Sequence, residues 1–343
     1  ESLKTFGSNA FESCKSLKTI KIPSGVTTIP DQCFDGCSSL ESVTIPEGVT
    51  TIRKNAFRFC NLNALTLPES LTTLGSGAFS GCKNLESVTL PESLKTFGSN
   101  AFESCKSLKA IKIPSGVTAI PSSCFRECSS LESVTISEGV TSIAGFVFYH
   151  CNLNALTLPE SLETIGRYAF DSNRSLKSVN IPAKVKTIGE RAFSYCGLTD
   201  LVIPEGVQTI GDYAFWYNPL QNLTLPSTIT SIGKEAFRYN NNLQSITCNA
   251  VTPPMLGDNA FSSGIMSDVK VPLASIAAYR KAYGWKDFSN YYGGEEIIDG
   301  VAYRIDDKGA YVQAAIMTES EICLAENVAF EGAQYPLYKI ADN

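Results

Sequence analysis

The chain has 343 residues, too many for an ordinary single globular core, so it either divides into domains or grows by repetition. Its 28 basic and 34 acidic residues give a net charge of −6, with no stripe of Lys and Arg to neutralise phosphates, which excludes nucleic acid as a partner. No stretch approaches the roughly 18 apolar residues that span a bilayer, so no transmembrane segment is expected. No charged-then-apolar leader opens the sequence either, and Glu1 falls in mid-repeat, which places the expected start upstream.

Self-similarity decides for repetition. Phenylalanines recur at Phe11, Phe34, Phe57, Phe79, Phe102, Phe125, Phe148, Phe170, Phe193, Phe215, Phe237 and Phe261, 22 to 24 residues apart, a period that marks a repeat architecture. In the coil from Ala78 to Gly98, Leu85, Val88 and Leu90 have the spacing of a strand whose last two apolar side chains point one way, and Pro91 ends it by removing a ladder donor. Leu94 and Phe97 follow as a second extended edge. Ala-Phe then leads into a tight turn or short helix that ends three residues beyond the Phe. No coil buries its apolar face alone, so stacked coils must share one interior.

Residues 1 to 91 align without a gap on 92 to 182, with 65 of the 91 positions identical, so a four-coil block has been duplicated. Coils also differ in one turn: Phe57, Phe148, Phe193 and Phe215 stand five residues before their strand leucine, and the other array phenylalanines stand six. Turns tolerate such deletions where strands do not.

The pattern Leu-x-x-Val-x-Ile-Pro-x-x-Val-x-x-Ile-Gly-x-x-Ala-Phe-x-x-Cys resembles the Treponema pallidum-type leucine-rich repeats of the BspA-like surface proteins of Bacteroidetes, spirochaetes and some protists. The resemblance covers about residues 1 to 261. It implies a leucine-rich-repeat solenoid, and the strand leucines, in register throughout, predict that it is right-handed with a parallel sheet of about eleven strands along one face. It also implies a bacterial cell-surface or secreted protein that engages extracellular matrix proteins, host cells or other bacteria.

The expected division is a repeat array over 1–262 and a C-terminal cap with one helix over 263–290. A β-hairpin tail, or the start of a further array, fills 291–343. Val269 to Phe288 reads as a strand and then an amphipathic helix, with Ser275 as N-cap and Gly284 as C-terminal stop, covering the open edge of the last coil. Residues 289–294 read as a linker. Ile297 to Ile305 and Ala310 to Ile316 read as a hairpin joined by Asp306-Asp307-Lys308-Gly309. Phe330 to Asn343 resembles the lead-in to a fresh array, and a separate small module is equally permitted.

Of the 12 cysteines, Cys14, Cys37, Cys60, Cys82, Cys105, Cys128, Cys151 and Cys196 share one column three residues after the Phe, which Asn173, Asn218 and Asn240 fill elsewhere. That column is expected to turn inward, where a weak donor satisfies turn carbonyls. Cys33 and Cys124 replace the Ala before the Phe. The Cys33/Cys37 and Cys124/Cys128 pairs lie four coils apart, about 19 Å at roughly 4.8 Å per coil, so they cannot share a zinc ion. No metal and no cofactor is expected. Catalysis is disfavoured as well: His150 is the sole histidine, and no Gly-x-Ser-x-Gly accompanies it.

Two surfaces remain for binding. The outward strand positions, such as Ser87/Thr89 and Ser133/Thr135, are small and hydroxylated, as β-propensity and solubility alone would make them. The turn position two residues after the Phe carries Phe59, His150, Tyr195, Tyr217 and Tyr239, with Trp216 beside it. Exposed, these rings form a strip of the kind found in protein hot spots and sugar platforms; half-buried, they pack neighbouring turns. The expected function is a surface-displayed or secreted adhesion module that binds an extracellular protein, with glycan binding through the aromatic strip as the alternative.

Overall fold

The computed structural model describes residues 3–264, 267–298, 301–315 and 327–340. Each coil of the array makes three sides, and like sides stack in register.

On the first side, three- or four-residue strands alternate outward Ser, Thr, Ala or Lys with inward Val, Leu or Ile, as in Ser87–Thr89 with only Val88 buried. Neighbours pair in parallel without slippage, Ile20 opposite Val43, Leu65 opposite Val88, Val134 opposite Leu156 and Leu201 opposite Leu223. A one-residue slip would turn the apolar side chains to solvent. This face is not one unbroken sheet: pairing runs in stretches of two, two, three and five strands, and residues 178–180 form no strand. The coil there still stays in the stack, because its second edge, Thr187–Ile188, lies inside a seven-stranded ladder.

The second side is that ladder of two-residue strands, four from Thr28–Ile29 to Thr96–Phe97 and seven from Ala119–Ile120 to Met255–Leu256. The interruption falls beside Phe97, whose ring meets Phe102 and Phe125 edge-on at 6.0 and 5.8 Å where the other strands of the ladder place Ile or Leu.

The third side is built of turns, with an isolated parallel bridge between Phe237 and Phe261. From Phe11 to Phe237, the residue two before the spine Phe and the residue two after it adopt left-handed backbone, with φ of 51–66° at the non-glycine ones. Two left-handed residues four positions apart exclude the short helix that the spacing allowed. The turn amides alternate in direction. Phe57 and Phe59 donate to the Ala78 and Ser80 carbonyls of the next coil, both at 2.8 Å, while Ala56 and Cys60 donate back to Arg53 and Phe57 within their own coil. From Phe11 to Phe215, the amides of the spine Phe and of the residues two before and two after it all bond the next coil, so the edge is a third ladder.

Inside, the spine phenylalanines stack with neighbouring centroids 5.0–5.6 Å apart and planes within 16°. Such pairs add about 0.5–1.5 kcal/mol each beyond the area they bury. The cysteine column does turn inward. From Cys37 to Cys196 each column thiol donates to the carbonyl of the spine Phe one coil back, at 3.0–3.3 Å. The asparagines do more. Asn173 Nδ2 bonds both the Phe148 and Phe170 carbonyls, at 2.9 and 2.8 Å, and its Oδ1 accepts the Leu153 amide at 3.1 Å.

The array is closed by a segment that differs in detail from the expected cap. Asp268–Lys270 pairs in parallel with the last array strand, but the helix is a single turn, Ile276–Tyr279, preceded by a 3-10 turn at Leu273–Ser275. Ser275 makes no side-chain cap bond and is buried instead. A second 3-10 turn, Trp285–Asp287, begins after Gly284 at φ 73°. Trp285 and Tyr279 prolong the spine, with Trp285 5.7 Å from Phe261 and 5.1 Å from Tyr279. Their polar ends are satisfied by the Pro254 and Ala250 carbonyls.

The expected linker contains a strand: Asn290–Tyr292 pairs in parallel with Asp268–Lys270. The buried Tyr291 ring holds it there, its hydroxyl donating to the Trp285 carbonyl at 2.6 Å. The span read as a first hairpin arm holds two antiparallel strands, Gly294–Ile298 and Val301–Asp306, and the latter turns through Asp307 and Lys308 into Gly309–Ala315. Ile316 and the last three residues lie outside the described residues. Asn327–Phe330 and Ala333–Ile340 form a further antiparallel hairpin, so residues 294–340 make a five-stranded mixed sheet around Val301, Tyr303, Ile305 and Val328. Arg304 docks this sheet on the cap: it pairs with Asp268 at 2.6 Å and lies 4.2 Å over the Tyr292 ring.

Candidate functional site: the aromatic turn edge

Because the turn backbone is fixed by its ladder, the side chains two positions after each spine Phe rise one above another along the edge. Tyr195, Tyr217 and Tyr239 occupy three consecutive coils, with ring centroids 5.0 and 5.9 Å apart. Trp216 stands beside them, 4.8 Å from Tyr195 and 5.5 Å from Tyr239, nearly perpendicular to both. Tyr217 is 54% exposed and Tyr239 39%, while Tyr195 and Trp216 are half-buried. Trp216 serves as the backing on which the tyrosines lean. Its indole N–H is buried without an acceptor among the described residues.

Phe59 and His150 are exposed too, but they are not part of this cluster. Phe59 stands six coils before Tyr195 and lies over Gly81 of the next coil, so close that a Cβ on Gly81 would fall 2.3 Å from its ring. Arg58, which grips the buried Asp35 carboxylate at 2.6 Å, covers Phe59 with its guanidinium 5.1 Å from the ring centroid. His150 packs on Tyr149 at 4.6 Å.

All of these turn aromatics hold left-handed backbone, with φ of 58° at Phe59, 54° at His150, 51° at Tyr195, 57° at Tyr217 and 62° at Tyr239. Bulky side chains enter that region at a cost of about 1–2 kcal/mol, and other coils carry Ser13, Gly36, Gly81, Ser104, Glu127 and Ser172 there. The turn therefore forms without an aromatic ring at this position.

Reading the aromatic column alone misses a second group. Two residues before the Phe, the N-terminal coils carry Asn9, Gln32 and Asn55, whereas later ones carry Phe146, Tyr168, Arg191 and Tyr213. Phe146 and Tyr168 stack at 4.6 Å, and the Arg191 guanidinium lies 4.8 Å over Tyr213 and 5.4 Å over Trp216, joining the two columns. Burial and the neighbouring Glu190 carboxylate push the Tyr168 phenol up, partly offset by Arg191, so it stays a neutral hydrogen-bond donor. The sequence did carry a signal for the edge as a whole. The four short coils are those of Phe57, Phe148, Phe193 and Phe215, and two residues after these Phe stand Phe59, His150, Tyr195 and Tyr217. Every short coil carries an aromatic there, and among the long coils Tyr239 joins them.

Only the coils of Phe193 and Phe215 are short side by side. Each lacks the residue that would cover its turn, and together they leave an open notch of about 580 Å³. Gly197 and Pro219 lie along its floor. Tyr195, Tyr217 and Tyr239 line one wall, and the flanking long coils supply Arg174 and Lys177 at one end and Asn241 and Asn242 at the other. By contrast, polar groups on the sheet face pair among themselves, as where Asn222 bonds Asp200 and Ser245 bonds Asn222, both at 2.7 Å.

Stacked coils of 22–24 residues with parallel strands, an inward Cys/Asn column and a variable turn edge define a leucine-rich-repeat solenoid. The chain belongs to the BspA-type leucine-rich repeat family: the model described as BspA type Leucine rich repeat region matches it in six copies, over residues 1–73, 50–177 and 163–283. Among solved structures, a leucine-rich repeat protein from Eubacterium ventriosum is similar at 23% identity over 74% of this chain and 78% of its own, with a TM-score of 0.52. A leucine rich cell surface protein from Faecalibacterium prausnitzii is 30% identical over 71% of this chain and 76% of its own, with a TM-score of 0.45. The leucine-rich repeat protein of T. pallidum is 36% identical over 42% of this chain and 68% of its own, with a TM-score of 0.40. No curated protein matches the chain.

Proposed function

We infer that the chain is a surface-displayed or secreted adhesion module that binds extracellular ligands through the turn edge of its C-terminal coils. Membership of the BspA-type family supports a binding role, and among the described residues no helix is long and apolar enough to cross a membrane. The observation that carries the placement is the mutually packed cluster of Tyr195, Trp216, Tyr217 and Tyr239 on a hydrogen-bonded turn backbone, with Tyr217 and Tyr239 exposed and Tyr195 and Trp216 half-buried beside them. Preorganised aromatics of this kind lose little entropy on binding.

The primary ligand is an extracellular matrix, host-cell or bacterial surface protein. A glycan is the second reading, favoured by the notch beside the tyrosines. A matrix-protein binding panel run beside a glycan array separates the two. In either case Trp216→Ala with Tyr217→Ala is expected to weaken binding by at least about 2 kcal/mol, roughly 30-fold, with the fold intact. An unchanged affinity moves the site to the Ser/Thr-rich sheet face.

A further inference from the structure

We propose that the notch between the coils of Phe170 and Phe237 binds an acidic oligosaccharide, a pyranose chain that carries carboxylate or sulfate. This rests on the turn-edge reading above and takes up its second, glycan reading, to which it adds the chemical class of the sugar.

The first argument is charge. The protein is acidic overall, at −6, yet the residues that line the notch include Arg174 and Lys177 and no carboxylate. Both cations are exposed, and neither forms an ion pair among the described residues. Lys177 Nζ projects over Gly197, where a Cβ would come within 2.9 Å of it, so the missing side chain is what admits the ammonium group to the notch. The Arg174 guanidinium sits 5.9 Å from the Tyr195 ring centroid, which places charge and aromatic face side by side. An anionic group on one sugar can meet both cations while its ring lies against tyrosine.

The second argument is what the notch withholds from a peptide. The backbone amides of Tyr195 and Tyr217 already donate to the Trp216 and Arg238 carbonyls, at 2.8 and 3.0 Å, so no strand edge is offered for β-addition. The lining contains no Leu, Ile, Val or Met that could seat an aliphatic side chain. Aromatic faces, two cations and the exposed Asn241 and Asn242 amides are a donor-rich, planar-walled set suited to hydroxylated rings with a negative charge.

The test uses the whole chain and three hexasaccharide probes in titration calorimetry: hyaluronan, which carries carboxylate only, heparin, which carries sulfate as well, and neutral chitohexaose. At least one acidic probe is expected to bind about tenfold or more tightly than the neutral one, because charge-assisted hydrogen bonds are the strong ones. Which acidic probe binds identifies the anion. Arg174→Ala with Lys177→Ala should remove that preference about tenfold, with unchanged circular dichroism, and Tyr217→Ala should weaken acidic and neutral probes together. Equal binding of all three probes, untouched by the Arg174/Lys177 pair but lost with Tyr217→Ala, overturns the acidic class and keeps the edge. No binding of any probe, with a matrix protein bound through Trp216 and Tyr217, overturns the oligosaccharide and keeps the edge. Binding that ignores both sets of substitutions overturns the edge itself.

Discussion

The amide of Leu153 donates to the side chain of Asn173 in the next coil, at 3.1 Å. In long coils the strand leucine bonds its own column carbonyl, as Leu85 does to Cys82 at 3.1 Å, and the deletion in a short coil removes that option. Asn173 and Asn218 each follow a short coil and accept the stranded Leu153 and Leu198 amides. Asn240 follows one too and keeps its two carbonyl bonds, while its Oδ1 is buried without a partner among the described residues. Cys82 follows the short coil of Phe57 and has only a thiol, which bonds the Phe57 carbonyl. Since 1–91 and 92–182 are duplicates, Cys82→Asn should reproduce the Asn173 bonds at Leu62 and raise stability by up to about 1 kcal/mol, whereas Asn173→Cys should cost about 1–2 kcal/mol. Urea midpoints of the two variants check the pair of signs, and a fall for Cys82→Asn would show that the short turn has another solution.

The spine predicts a gradient of mutational cost. Phe125 is fully buried and stacked on both Phe102 and Phe148, so Phe125→Ala should lose about 3–5 kcal/mol. Phe11 is only partly buried and stacks on Phe34 alone, with Phe6 meeting it edge-on, so Phe11→Ala should lose markedly less. Equal destabilisation of the two in guanidinium unfolding would mean that stacking along the spine does not carry the interior.

The column thiols should make the array sensitive to alkali. Burial pushes Cys33, Cys82 and Cys128 from their ordinary value of 9.0 up to about 12. The folded state therefore keeps its protons where the unfolded chain releases them. The sign follows directly: stability is fully present below pH 9 and is lost as pH rises from about 9 towards 12, by about 1.4 kcal/mol per pH unit for each such thiol. Melting temperatures across that range should fall steeply, and thiol labelling at pH 8 should await unfolding. Rapid native-state labelling of several thiols at pH 8 would contradict their burial.

Tyr217 should trade stability against binding. At φ 57° the backbone prefers glycine, so Tyr217→Gly removes about 1–2 kcal/mol of strain while giving up ring contacts that are half in solvent. The expected outcome is an unfolding free energy within about 1 kcal/mol of the parent together with clear loss of ligand affinity. A large destabilisation would assign the tyrosine to packing instead.

The period of the phenylalanines determined the array, since every coil must bury the same positions against its neighbours, and the inward turn of the Cys/Asn column followed from that repetition. The one-residue deletions were equally plain in the sequence. What they mean was decided by stacking: only when the coils of Phe193 and Phe215 lie side by side do two missing residues become one notch between Arg174 and Asn241. The exposure of Tyr217, the left-handed backbone beneath it and the capture of Arg191 between Tyr213 and Trp216 likewise depend on side chains 22 or more residues away. The same holds beyond the array, where composition suggested a linker at 289–294 and the open edge of Asp268–Lys270 drew Asn290–Tyr292 into a strand. Apolar spacing dictates burial because it repeats within one coil, whereas the surface of a turn is set by whichever coil is stacked against it.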